Sequence, residues 1–199
     1  MTAIIRINAS RPAAAGMKKA ASVLKKGGLV VFPTETVYGL GANLLDKKAV
    51  EKVYEIKKRP RNKPLTVHVA DTASVRKITG KIPLGAGKLI EKYWPGPLTI
   101  ILRDRRGGKT GFRMPDNKIA FSLIKRAGVP VVAPSANISG NKPPTSAKEA
   151  LRDLDGKVDI VIDGGRTAIG IESTVVDMTG RRPKVLREGA IPKAEIELI

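Results

Sequence analysis

The sequence predicts an α/β fold, a twisted mixed sheet flanked by helices within a single domain. Short β-branched runs alternate along the chain with segments whose apolar residues recur at helical spacing. At 199 residues and 42% hydrophobic content, one core can be buried without disulfides or metal staples. No repeat, heptad run or low-complexity tract interrupts the alternation, which sets aside solenoids and coiled coils.

The elements follow in order. Ser10 with Pro12 opens a helix whose Met17, Ala20, Ala21 and Leu24 share one face, and Gly27-Gly28 closes it before the strand Leu29-Val30-Val31-Phe32. Asp46 caps a second helix with Ala49, Val50 and Val53 inward, and Pro60 stops it ahead of the strand Leu65-Thr66-Val67-His68-Val69. Asp71 begins a short helix. Residues 86–93 read as helical up to the turn Trp94-Pro95-Gly96-Pro97, which feeds the buried strand Leu98-Thr99-Ile100-Ile101-Leu102. Arg103 to Gly111 reads as a polar loop. Asp116 is the expected cap of a helix with Ile119, Ala120, Leu123 and Ile124 on one side, leading into the strand Pro130-Val131-Val132-Ala133. Ser146 and Glu149 form a capping box for the next helix. The strand Val158-Asp159-Ile160-Val161-Ile162 ends in Asp163-Gly164-Gly165, and Thr174–Asp177 with Lys184–Leu186 make a final strand pair.

Composition narrows the chemistry. Without cysteine there is no disulfide, thiolate nucleophile or cysteine-ligated metal, and with His68 the sole histidine no poly-histidine metal site can form. The start, Met1-Thr2-Ala3-Ile4-Ile5-Arg6, lacks the apolar core of a signal peptide, and no apolar run reaches the ~20 residues of a membrane span, so a cytoplasmic protein is expected. A net charge of +19 implies an anionic partner, nucleotide or nucleic acid. Only 4% of residues are aromatic, few for base stacking, which weakens the alternative of an RNA- or DNA-binding module.

In open α/β sheets ligands lie beyond strand ends. The unusual residues fall after Phe32, after the second helix, after Ala133 and around Gly170 to Thr174, as for one site built from four segments. Lys57-Lys58-Arg59-Pro60-Arg61-Asn62-Lys63 holds five cations in seven residues and no carboxylate, a phosphate-binding candidate. Pro33-Thr34-Glu35-Thr36-Val37-Tyr38-Gly39-Leu40-Gly41 sets hydroxyls, a carboxylate and a phenol on a glycine-hinged turn, and Pro134-Ser135-Ala136-Asn137-Ile138-Ser139-Gly140 repeats the arrangement. Neither loop has the glycine spacing of a P-loop or dinucleotide fingerprint.

Thr34 to Leu40, Lys57-x-Arg59-Pro60 with Pro64-Leu65, Pro134-Ser135-Ala136-Asn137 with Ser139-Gly140, and Ser173-Thr174-Val175-Val176-Asp177 followed by Leu186-Arg187-Glu188-Gly189 resemble, in order and spacing, the motifs of the YrdC-like family. The resemblance covers nearly the whole chain. It implies the YrdC-like sheet and an L-threonylcarbamoyladenylate synthase, a nucleotidyltransferase that joins L-threonine, bicarbonate and ATP, with Mg²⁺ accompanying ATP and no metal held by protein side chains. Its product would pass to a tRNA threonylcarbamoyl transferase complex; direct tRNA binding would be weak and non-specific, and no membrane is involved.

The resemblance further implies that Lys57, Arg61, Ser135 and Arg187 contact ATP, that Lys57, Arg59, Ser135 and Asn137 form the catalytic signatures, and that Thr34, His68, Arg113 and Ser173 bind threonine. Arg113 would hold the carboxylate bidentately, and Tyr38 and Thr110 would line the pocket. Three positions depart from the family pattern: Lys109 stands where relatives carry a hydroxyl, Pro143 where they carry serine, and Ala133 where some carry threonine. A carbamoyl-transfer domain of the hydrogenase-maturation type shares the fold, but belongs to larger chains. The extra C-terminal domain of some synthases is not expected here, since the chain ends soon after Gly189.

Overall fold

A computed structural model describes residues 1–8, 12–180 and 182–198. Among the described residues ten strands and seven helices follow in order: β1 (Ala3–Arg6), α1 (Ala14–Lys25), β2 (Val30–Pro33), β3 (Tyr38–Asn43), α2 (Lys47–Lys57), β4 (Thr66–His68), α3 (Thr72–Thr79), α4 (Leu84–Tyr93), β5 (Leu98–Arg103), β6 (Lys109–Arg113), α5 (Lys118–Ala127), β7 (Val131–Val132), α6 (Ala147–Leu154), β8 (Ile160–Asp163), β9 (Thr174–Asp177), β10 (Lys184–Arg187) and α7 (Lys193–Glu197). The strands form one mixed sheet in the order β1-β8-β2-β3-β7-β4-β6-β5-β9-β10. The expected α/β class and flanking helices are present.

Side-chain alternation assigns the two faces. Val31, Leu40, Val67, Ile100, Phe112 and Val176 enter one core with Ala49 and Val53 of α2, Val75 of α3, Leu89 of α4 and Leu154 of α6. Val30, Phe32, Val131 and Ile160 enter a second core with Met17 and Leu24 of α1 and Ile119 and Leu123 of α5. Phe32 meets the ring of His68 edge-on, with centroids 6.4 Å apart. Beyond His68 the strands β4, β6 and β5 turn Thr66, His68, Arg113 and Thr99 into a cavity instead of under a helix.

Several local expectations change. Asn117, not Asp116, caps α5: its side chain accepts from the Ile119 and Ala120 amides. The expected loop after Arg103 shrinks because β6 starts at Lys109; Asp104 folds the remaining turn by accepting from Arg106, Gly108 and Thr110. Ser146 accepts from the Glu149 amide, but the Glu149 carboxylate turns to Thr145 and leaves the box unreciprocated. The proposed cap Ser10 lies outside the described residues. Strands β1 and β3 and helix α7 had no counterpart in the sequence reading. β3 runs through Gly39 and Gly41, and at Gly41 a Cβ would stand 2.8 Å from the Phe32 ring, so glycine there lets β3 lie against β2.

Candidate active site

The cavity is lined by residues from every segment singled out in the sequence: Thr34, Val37, Tyr38 and Gly39; Arg59; Ala133, Pro134 and Ser135; Glu172, Ser173 and Arg187. Its floor is Thr66, His68, Thr99 and Arg113. The enclosed part, about 100 Å³, falls below the ~300–1,000 Å³ of drug-sized pockets and suits a small ligand with any larger group extending from its mouth. Three arginines face it against one carboxylate, Glu172.

Arg113 is 5% exposed and fully engaged on two of its nitrogens. Its Nη2 lies 2.8 Å from Glu35 Oε1 and donates to Thr36 Oγ1 at 2.7 Å, while Nε donates to the Gly96 carbonyl at 3.3 Å. Burial lowers its pKa and the Glu35 charge opposes that. Neither Glu35 oxygen receives a well-directed hydrogen bond, so the pair is held by charge. Nη1 is the edge left for a ligand, and the expected bidentate grip through Nη1 and Nη2 would require Glu35 or Thr36 to yield.

His68 is 4% exposed and its Nδ1 has no partner. Burial, reinforced by the Arg113 charge, pushes its pKa down to about 3, with the Thr66 carbonyl opposing. The imidazole is therefore neutral at physiological pH. As the pH falls below the ordinary 6.5, the unfolded chain takes the proton first, so the stability contributed by this group is complete above 6.5 and is lost toward pH 3. No other histidine titrates in that window. Between pH 7 and 5.5 the wild type should lose about 1 kcal/mol more than His68→Gln in chemical denaturation; equal losses would contradict a buried neutral ring.

Lys57 and Arg59 diverge although one residue separates them. Lys57 ends α2, and Lys58, at φ 50°, turns the chain away. The Lys57 side chain, 1% exposed, runs under the 134–141 loop and donates to the Ser135 and Asn137 carbonyls, both at 2.5 Å, with Asn137 Oδ1 at 3.4 Å. Burial, then the Arg59 charge, pulls its pKa down to about 8. It braces the loop and is not among the cavity-lining residues. Asn137 is likewise turned inward, donating to the Ile138 and Asn141 carbonyls. Arg59 does reach the cavity, steadied by the Lys63 and Pro64 carbonyls.

Other expected residues are placed unevenly. Arg61 pairs with Glu51 and lies over the Tyr54 ring, outside the cavity lining. Thr110, on the face of β6 opposite Arg113 and Gly111, bonds Asp104 and also lies outside it; strand alternation is the reason. Tyr38 lines the cavity, and its hydroxyl donates to Gly165, with burial raising its pKa to about 12. The Thr34 hydroxyl borders the cavity but is spent on its own turn, donating to the Val37 carbonyl at 2.7 Å. Of the three departures, Ala133 lines the cavity, Lys109 pairs with Asp177 at 2.8 Å, and Pro143 lies outside the lining.

Thr66, Thr99 and Glu172 line the site although nothing in the sequence singles them out, and Glu35 and Thr36, which stand in the candidate loop after Phe32 without roles of their own, hold Arg113. Their signal is tertiary: Thr99 meets Ser173 across 74 positions, and Arg187 binds both Glu172 and Ser173. Gly189 permits that last arrangement, because a Cβ there would come within 2.3 Å of the Glu172 carbonyl.

The family model Sua5_yciO_yrdC, described as "Telomere recombination", matches residues 22–189. The chain is 45% identical over 191 residues to the threonylcarbamoyl-AMP synthase of Bacillus subtilis, covering 91% of this chain and 55% of that protein. It is 46% identical over 189 residues to the threonylcarbamoyl-AMP synthase of Pyrococcus abyssi, covering 90% and 56% respectively. The chain thus spans little more than half the length of either relative. The crystal structure of P. abyssi Sua5 complexed with L-threonine superposes with a TM-score of 0.94 at 43% identity, covering 99% of this chain and 60% of that one. By sequence over most of its length and by fold, the chain belongs to the Sua5/YciO/YrdC family.

Proposed function

We propose that this cavity joins L-threonine, bicarbonate and ATP into threonylcarbamoyl-AMP with release of pyrophosphate. The observation that carries the reading is the convergence of Arg59, Arg113 and Arg187 on a cavity of amino-acid size. The likeness to a Sua5 crystallised with L-threonine supports the amino-acid half.

In this reading the threonine amine adds to the carbon of bicarbonate, water is lost, and a carbamate forms. A carbamate oxygen then attacks the α-phosphorus, and the bond to the β-phosphate oxygen breaks with its electron pair on pyrophosphate. Both reactants are anions, so repulsion is the main obstacle. Arg113 Nη1 takes the threonine carboxylate, with Ser173, Thr34 and the neutral His68 around the rest of the amino acid. Arg59, Arg187 and the Ser135 hydroxyl face the phosphates and offset charge in the transition state. Lys57 and Asn137 act one step back, holding the loop that presents Ser135. Arg61 reaches the nucleotide only by leaving Glu51.

No protein side chain is assigned to Mg²⁺. Among the described residues no cluster of three or more carboxylates or histidines is present, and Glu172 is already paired with Arg187 at 2.8 Å. The ion would ride on the ATP phosphates. We place the enzyme in the cytoplasm, handing its adenylate to a tRNA threonylcarbamoyl transferase; no described helix is long and apolar enough to cross a membrane.

The test is pyrophosphate release from Mg-ATP with threonine and bicarbonate omitted in turn. Release that needs both supports the reading. Release that ignores threonine, or accepts valine equally, contradicts it, because a pocket shaped for a hydroxyl leaves polar groups unpaired against valine.

A further inference from the structure

Thr99 is 3% exposed, on β5, and its hydroxyl has one partner, the Ser173 hydroxyl at 2.8 Å. Ser173, itself 4% exposed, also receives Arg187 Nη2 on its Oγ at 3.3 Å. A hydroxyl offers one proton and two lone pairs. Either hydroxyl can donate in the Thr99–Ser173 bond; when Thr99 donates, the Ser173 oxygen accepts from two donors. The two lone pairs of Ser173 are then filled, one by Thr99 and one by Arg187. Its own proton is left over, and the cavity, which both hydroxyls line, is where it can go.

We infer that Thr99 is a positioning residue that fixes Ser173 as a hydrogen-bond donor, so that Ser173 addresses an oxygen of the bound amino acid. The inference rests on the threonine-binding reading above and adds the polarity of one of its contacts. Arg187, which faces the phosphates in that reading, shares the same acceptor, so the amino-acid and nucleotide ends of the cavity meet at the Ser173 oxygen. Without the Thr99 proton, a lone pair of Ser173 is freed and the hydroxyl can rotate away from the ligand.

Valine matches threonine in shape and suits a strand, so Thr99→Val removes the hydroxyl while preserving β5; Thr99→Ala serves if the valine variant does not fold. L-Threonine binding is measured by calorimetry on wild type, Thr99→Val, Thr99→Ser, Ser173→Ala and the Thr99→Val/Ser173→Ala pair. The expected result is roughly tenfold weaker binding in Thr99→Val, recovery to near wild type in Thr99→Ser, and a double variant no weaker than Ser173→Ala alone, since Thr99 acts only through Ser173. Unchanged binding in Thr99→Val, or losses that add in the double variant, overturn the inference and leave the threonine reading intact. Wild-type protein that binds no threonine overturns both.

Discussion

Arg113→Ala is expected to remove threonine binding and to cost the fold about 3–5 kcal/mol, the usual penalty for stripping the partner from a buried charge. Glu35 would be left 8% exposed with no cation and no directed hydrogen bond. The two losses have different origins and can be separated. Replacing both members of the pair, Arg113→Met with Glu35→Leu, removes the stranded carboxylate and should recover much of the stability, because well-packed apolar residues often equal a buried ion pair. Threonine binding should stay absent. Thermal melts and calorimetry on both variants check this: a double variant as unstable as the single one would mean that Arg113 acts through packing, and threonine binding by either variant would remove Arg113 from the substrate.

Arg59→Ala is expected to lower kcat/KM for pyrophosphate release by two to three powers of ten, from a loss of roughly 3–4 kcal/mol at the transition state, with the melting temperature unchanged. Its hydrogen bonds to Lys63 and Pro64 are solvent-exposed and contribute little to the fold. Lys57→Ala should behave differently despite standing two positions away. It strands the Ser135 and Asn137 carbonyls that the ammonium now satisfies, so activity and stability should fall together. Two variants with the same melting behaviour would contradict the separation of bracing and catalytic cations.

The contrast between Lys57 and Arg59 also marks how far the sequence can be read. The cluster from Lys57 to Lys63 was legible as a concentration of charge, and its place beside the cavity follows from the helix ending there. Which cation turns inward depends on the left-handed Lys58 and on a loop 80 positions away that supplies the acceptors. Helices with a side-chain cap or a strong apolar stripe were legible, because their determinants lie within a few residues. β1 was not: its partner β8 lies more than 150 residues on. β3 reads as a turn in the sequence because Gly39 and Gly41 are poor strand formers, and the close approach of the Phe32 ring and the Val30 carbonyl explains the glycine at 41. Thr99 looks like any β-branched strand residue until Ser173 is brought against it.

In the proposed reaction one cavity joins an amino acid to a nucleotide through bicarbonate carbon. Mass spectrometry of the product formed from L-threonine, Mg-ATP and ¹³C-bicarbonate tests it most directly. The proposed reaction gives an adenylate that contains threonine and is heavier by one mass unit than the product from unlabelled bicarbonate, formed two to three powers of ten more slowly by Arg59→Ala. An adenylate that carries threonine but no label, or ATP hydrolysed to AMP with no threonine adduct, would contradict it.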